Sequence, residues 1–182
     1  MWVLVIVCLV VFMLYKYMKY SQKRSAVYDA RRIMSEKLVD IYRQSVFAYR
    51  YLVEWYKSEI INEIFENDVR NIARLMNILD AQIPKTIDML ENSDPIKQFD
   101  GYHKNFEYNG PRAVITAMQF FIECYPEYTS TANFSNALTC YQKMLEDVSI
   151  YNSFIDEYNS IITAKGYDLV AFSGPLEPLR TH

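Results

Sequence analysis

Residues 132–165 read ANFSNALTCYQKMLEDVSIYNSFIDEYNSIITAK, a run without glycine or proline. Tyr141, Val148, Ile155 and Ile162 recur every seven residues on one row, and Leu138, Leu145, Asn152 and Asn159 recur every seven on the neighbouring row. A seven-residue recurrence keeps side chains on one side of an α-helix, so the stretch predicts one long helix with a seam for other helices. Thr129-Ser130-Thr131 offers capping hydroxyls before it and Gly166 a terminator after it, which gives a rod of about 50 Å. Two asparagines interrupt the seam. Buried there, they cost stability and fix register, and Asn152 and Asn159 are expected to pair with polar groups on a facing helix; if the stripe drifts, both reach solvent at its edge.

Working outward, the remaining chain is just as helical in pattern. All 4 glycines and 6 prolines among 182 residues lie at position 84 or later. A β-sandwich, a dinucleotide-binding α/β fold or a P-loop enzyme needs early glycine turns, and this chain has none. Hydrophobic residues make up 51% and charged residues 23%, which excludes a disordered acidic tail or linker. Met34, Leu38, Ile41, Tyr42, Tyr49, Leu52, Val53, Tyr56, Ile60 and Ile64 recur at helical steps, predicting a long amphipathic helix. Asn67-Asp68 marks a turn or kink ahead of a second such run from Val69 to Leu90. Residues 92–111, with Ser93-Asp94-Pro95, Gly101 and Gly110-Pro111, read mostly as a connector. Pro111 opens an apolar helix that stops before Pro126, because the residue preceding a proline resists helical angles. The expected fold is all-α: an up-down antiparallel bundle of about four long helices over residues 21–174, with a tail at 175–182. With 16 tyrosines in the chain, many phenol hydroxyls are expected at the bundle rim, with rings packed and oxygens wet or hydrogen-bonded.

The first 15 residues carry no charge. At 1.5 Å per residue they span about 22 Å of a hydrocarbon layer about 30 Å thick, and snorkelling lysines extend the reach. Residues 1–20 are therefore expected to be an uncleaved transmembrane signal-anchor, with Trp2, Leu4, Ile6, Leu9, Phe12, Leu14, Tyr15 and Tyr17 facing lipid and interface. Lys16, Lys19, Lys23, Arg24, Arg31 and Arg32 follow the run and none precedes it. By the positive-inside rule this predicts a single-pass inner-membrane protein with a short outer amino terminus and a cytoplasmic bundle. Residues 16–50 hold nine basic and three acidic residues, and residues 51–182 hold ten and nineteen. The basic stretch suits anionic headgroups or serves only as a topology signal, and the acidic body repels nucleic acid.

Chemistry-bearing patterns are few. His103 and His182 are the only histidines, and Asp100 with His103 is the one near match to di-iron spacing. No metal or other cofactor is expected from these residues. Cys8, Cys124 and Cys140 form no C-x-x-C pair, and no glycine-rich phosphate loop or nucleophile elbow occurs, so no catalytic residue is assigned.

Tyr125-Pro126-Glu127, Asn133-Phe134, and Tyr151-Asn152 with Tyr158-Asn159 seven residues on, followed by Val170-Ala171-Phe172-Ser173-Gly174, together resemble the LemA family. Leu52-Val53-Glu54 is similar to that family's L-V-E, without the proline and asparagine that precede it there, so the resemblance is to a divergent member. It covers about 50 residues, 125–174. The resemblance implies one transmembrane helix, a cytoplasmic antiparallel bundle and no established enzymatic activity. The expectation is a membrane-tethered helical scaffold, not an enzyme, whose partners are the bilayer and other proteins or its own copies, with no nucleic acid. The alternatives are a module that senses or shapes anionic lipid, and a helical ligand-binding signalling domain.

Overall fold

A computed structural model describes residues 2–60, 66–163 and 174–181. With no breaker in this stretch, the chain forms one continuous helix from Trp2. This is α1 (Trp2–Trp55), closed by a π turn over Tyr56–Ile60. Next come α2 (Glu66–Asn92), the short α3 (Phe99–Asn105), α4 (Gly110–Cys124) and α5 (Ala132–Thr163). No strand occurs among the described residues.

Side-chain pairings fix the directions. Tyr49 on α1 donates its hydroxyl to Asp80 on α2, so the second helix runs back along the first. At the start of α4, Gly110 lies so close to α2 that a Cβ would sit 2.5 Å from Thr86 Oγ1 and 2.8 Å from Ile83 Cδ1. At its far end, Phe121 meets Trp55. The Lys37 ammonium donates to Asp147 Oδ1 at 3.0 Å and Asn133 to Glu59 at 3.3 Å, which sets α5 antiparallel to α1. The result is an up-down-up-down bundle of α1, α2, α4 and α5, with α3 packed on α1 through Arg31 and Tyr42 and on α5 through Tyr151 and Tyr158.

The helix boundaries follow local chemistry. Pro111 occupies the first turn of α4 without cost because no intrahelical donor is needed there, and α4 stops at Cys124, one residue after which the chain enters the turn at Pro126–Tyr128. Thr131 Oγ1 accepts from the Phe134 amide at 3.4 Å at the start of α5. The row Tyr141, Val148, Ile155 and Ile162 is buried as its spacing implied. Its buried neighbour is the row Ala137, Met144, Tyr151 and Tyr158, one position short of the row read as the seam. Trp55 is fully buried between Phe121 and Phe134, at ring distances of 5.2 and 5.1 Å.

Several expectations are corrected. Among the described residues no helix is long and apolar enough to cross a membrane. That overturns the transmembrane anchor over residues 1–20, and with it the single-pass inner-membrane placement with an outer amino terminus and a cytoplasmic bundle. The cause is charge spacing: the uncharged helical run from Trp2 to Tyr15 spans only about 21 Å before Lys16, Lys19 and Lys23 enter, short of the roughly 30 Å that a hydrocarbon core requires. The turn or kink expected near residues 66–68 is met within a few residues: the π turn after α1 ends at Ile60, and α2 begins at Glu66 and runs back along α1. The connector 92–111 contains α3, whose Phe99 and Tyr102 are buried. Four of the tyrosines, Tyr42, Tyr102, Tyr151 and Tyr158, lie inside the bundle with no exposed surface, away from the rim that many of the sixteen were expected to occupy. Tyr42 satisfies its hydroxyl on the Tyr102 carbonyl at 2.7 Å, and Tyr102 donates to the Met89 carbonyl. Buried phenols find backbone acceptors here instead of water.

Candidate functional site

The position of Asn152 and Asn159 on α5 decides what they touch. Each follows a buried tyrosine by one residue, so it is turned about 100° away from the row that packs into the core. That places the pair on the flank of α5, where an extended segment, residues 174–181, runs past them. Asn159 Nδ2 donates to the Leu176 carbonyl at 2.9 Å, and its Oδ1 accepts from the Leu176 amide at 2.8 Å. Asn152 repeats this on Leu179, donating to the carbonyl at 3.0 Å and accepting from the amide at 2.8 Å. A carboxamide carries one donor and one acceptor side by side, as a peptide group does, so each asparagine stands in for a neighbouring strand. Neither pairs with a facing helix or drifts to solvent, as the two sequence readings had it.

Helix α4 completes the groove. Arg112 donates to the Arg180 carbonyl at 2.8 Å, and Gln119 to the Thr181 carbonyl at 3.0 Å. Leu179 is buried, and Leu176 packs against the core. On the outer side, His103, Lys104, Glu107 and Tyr108 line a cleft of about 590 Å³ whose other wall is the segment itself. His103 Nδ1 lies 2.8 Å from the Tyr151 hydroxyl. Burial holds the imidazole below its ordinary range, against the opposing pull of Asp100, Glu177 and Glu107.

The second unusual surface is the start of α1. Every described side chain from residue 6 to residue 20 is exposed, and burial begins only at Val27. Ile6, Leu9, Phe12, Leu14, Tyr15 and Tyr17 are therefore on an open arm; the side chains of Trp2 and Leu4 lie outside the described residues. Lys16 and Lys19 sit over the rings of Phe12 and Tyr15. Of the residues grouped as headgroup-facing, Lys16, Lys19, Arg24 and Arg32 are exposed and Lys23 is half-buried. Arg31 is turned inward, 3.2 Å from Asp100 and stacked over Phe99.

The chain matches no known family profile, no curated protein and no solved structure. The residues that carry the LemA resemblance are mostly structural here. Tyr125, Phe134, Tyr151 and Tyr158 are buried, Pro126 opens the turn before α5, and Asn133 ties α5 to Glu59. The motif residues 170–173 and the helix end expected at 165–166 lie outside the described residues. Among the described residues no group of acids, histidines and cysteines is placed to hold a metal ion, and the three cysteines are free. The groove itself was missed in the sequence. Its signal is the repeat Pro175-Leu176-Glu177-Pro178-Leu179-Arg180, a period of three beside the period of seven in the asparagines.

A pH dependence follows from His103. Its folded value is depressed, so the unfolded chain takes up the proton first as pH falls. The stabilising difference is complete above about pH 6.5, the unperturbed histidine value, and is lost as pH drops from there through the folded value. Thermal melts of the native chain should therefore fall between pH 7.5 and pH 5.5 by more than those of His103→Gln. Equal falls in the two proteins would remove His103 from the account.

Proposed function

We propose that this chain is a helical interaction scaffold of divergent LemA type, without catalytic chemistry of its own, that associates with a second copy through the arm of α1. The observation that supports this reading is the uninterrupted exposure of apolar side chains along the arm, with Met13 at 69% and Tyr17 at 70%. A helix apolar on all sides is a buried helix in nearly every protein, and a contiguous apolar surface of this kind marks an interaction site. Identical arms suit one another because residues 6–15 carry no charge. Antiparallel pairing sets each cluster of Lys16, Lys19 and Lys23 beyond the partner's apolar stretch, whereas parallel pairing stacks like charges.

Light scattering on the full chain tests this. The native protein should be dimeric, and Leu9→Glu with Phe12→Glu should be monomeric with unchanged helix content. A monomeric native protein, or a dimer indifferent to both glutamates, overturns the reading. So does a monomer that instead binds anionic vesicles in a salt-sensitive way, which would assign the arm and its lysines to lipid headgroups.

A further inference from the structure

We propose that the groove between α4 and α5 is a peptide-binding site for extended Pro-Leu-x-Pro-Leu segments, that residues 174–181 are its resident ligand in cis, and that a segment of the same chemistry on another protein replaces them. The argument begins with spacing. Asn152 and Asn159 are two helical turns apart, about 10.5 Å along the axis. Leu176 and Leu179 are three residues apart, and one turn of polyproline II helix is three residues and about 9.3 Å. The two repeats match closely enough for each asparagine to hold both backbone groups of one leucine, at four distances between 2.8 and 3.0 Å. A three-residue turn also brings Leu176 and Leu179 to the same side, the side that faces the bundle.

The chemistry of the ligand follows from what the groove reads. Prolines at 175 and 178 fix their own backbone angle and push Gly174 and Glu177 to extended angles, so the segment is already shaped before it docks. Neither proline is asked for an amide, which it lacks; the amides that are used belong to the leucines. Backbone recognition by Asn152, Asn159, Arg112 and Gln119 is indifferent to side chains. Selection is therefore left to the two leucines, of which Leu179 is 5% exposed. Pro175, Glu177, Pro178 and Arg180 are exposed, so their side chains are free to vary in a competing segment except where proline sets the shape. This is the usual logic of groove recognition: main-chain bonds hold the segment, and spaced pockets identify it.

Because the resident segment is tethered, it competes at the high effective concentration of an intramolecular ligand. The test must first weaken it. In the full chain, Leu176→Ser with Leu179→Ser removes the anchors and leaves the helices unaltered. A fluorescent synthetic peptide of residues 174–181 should bind this variant saturably and at least tenfold more tightly than it binds the native chain. Adding Asn152→Ala should weaken that binding at least tenfold, and a peptide with serine at both leucines should not bind. If the double variant loses helix content by circular dichroism, Leu179→Ala takes its place with the same expectations. Absence of saturable binding to a folded variant, or binding indifferent to Asn152, overturns the proposal. The proposal is independent of the arm: a monomeric protein that binds the peptide supports it, and a dimer that does not bind the peptide refutes it.

Discussion

Trp55→Ala is expected to lower the unfolding free energy by about 3–5 kcal/mol, the usual loss for emptying a large aromatic site in a core. Trp55 is fully buried and belongs to α1, while the rings it touches, Phe121 and Phe134, belong to α4 and α5. One side chain thus joins three of the four bundle helices near the end where α1 closes. Removing it strips dispersion contacts from all three at once, and a four-helix frame cannot collapse onto the void without shifting α4 against α5. A domain of this size is stable by about 5–15 kcal/mol in total, and each kcal/mol moves its midpoint by roughly 2–4 °C. Thermal and urea melts should show a fall in midpoint of roughly 6–20 °C by the same scaling. Trp55→Phe, which keeps most of the ring area, should lose less than half as much. A loss under about 1 kcal/mol for the alanine variant would mean that the aromatic junction is not what holds the bundle end together.

Lys37→Met is expected to be the most damaging change outside the apolar core, at about 2–3 kcal/mol. Asp147 is buried, its Oδ1 takes the Lys37 ammonium at 3.0 Å, and its Oδ2 has no hydrogen-bond partner among the described residues. Deleting the lysine leaves a buried carboxylate without its counter-charge, which in a dry interior costs about 3–5 kcal/mol. The lower figure applies because the Lys37 side chain is 31% exposed, so water already screens part of the pair. Replacing both partners separates the explanations. Lys37→Met with Asp147→Leu should recover most of the loss, since an apolar pair of similar volume avoids the desolvation that the ion pair must offset. If the double variant is no more stable than Lys37→Met alone, then packing of the lysine stem and not charge explains the effect.

The sequence was most legible where punctuation and periodicity agreed. Pro111 and Pro126 bracket α4, Thr131 starts α5, and the Tyr141 row is buried, because each rests on a local backbone rule or on a repeat that packing must honour. It was least legible where one residue of phase decides a surface. Ala137 and Leu138 both flank the Tyr141 row, and apolarity alone favours Leu138, yet the buried row is the one through Ala137 and Tyr151. That difference turned Asn152 and Asn159 from a helix seam to a strap. Helix α3 was hidden by Gly101, an ordinary helix breaker that here sits mid-helix between buried Phe99 and Tyr102. The apolar start of α1 gave the strongest compositional signal and the least reliable reading. Its run is uncharged for fifteen residues, but the lysines that follow it come too soon for a span, and composition alone does not say what covers an apolar helix.

The antiparallel seam between α1 and α5 also sets an order of events during synthesis. Lys37 and Asp147 are separated by 110 positions, so the inner stripe of α1, from Val27 to Trp55, is made long before its main partner exists. At ribosomal rates of about 5–20 residues per second, that interval is roughly 5–20 s. Helices α2 and α4 can cover part of the stripe as they emerge, but Tyr151 and Tyr158 arrive last, and the strap that lies outside them arrives later still. An apolar helix face left open for that long is the stretch of this chain most exposed to aggregation while it is being made. Docking of residues 174–181 on Asn152 and Asn159 is then a late step in closing this bundle.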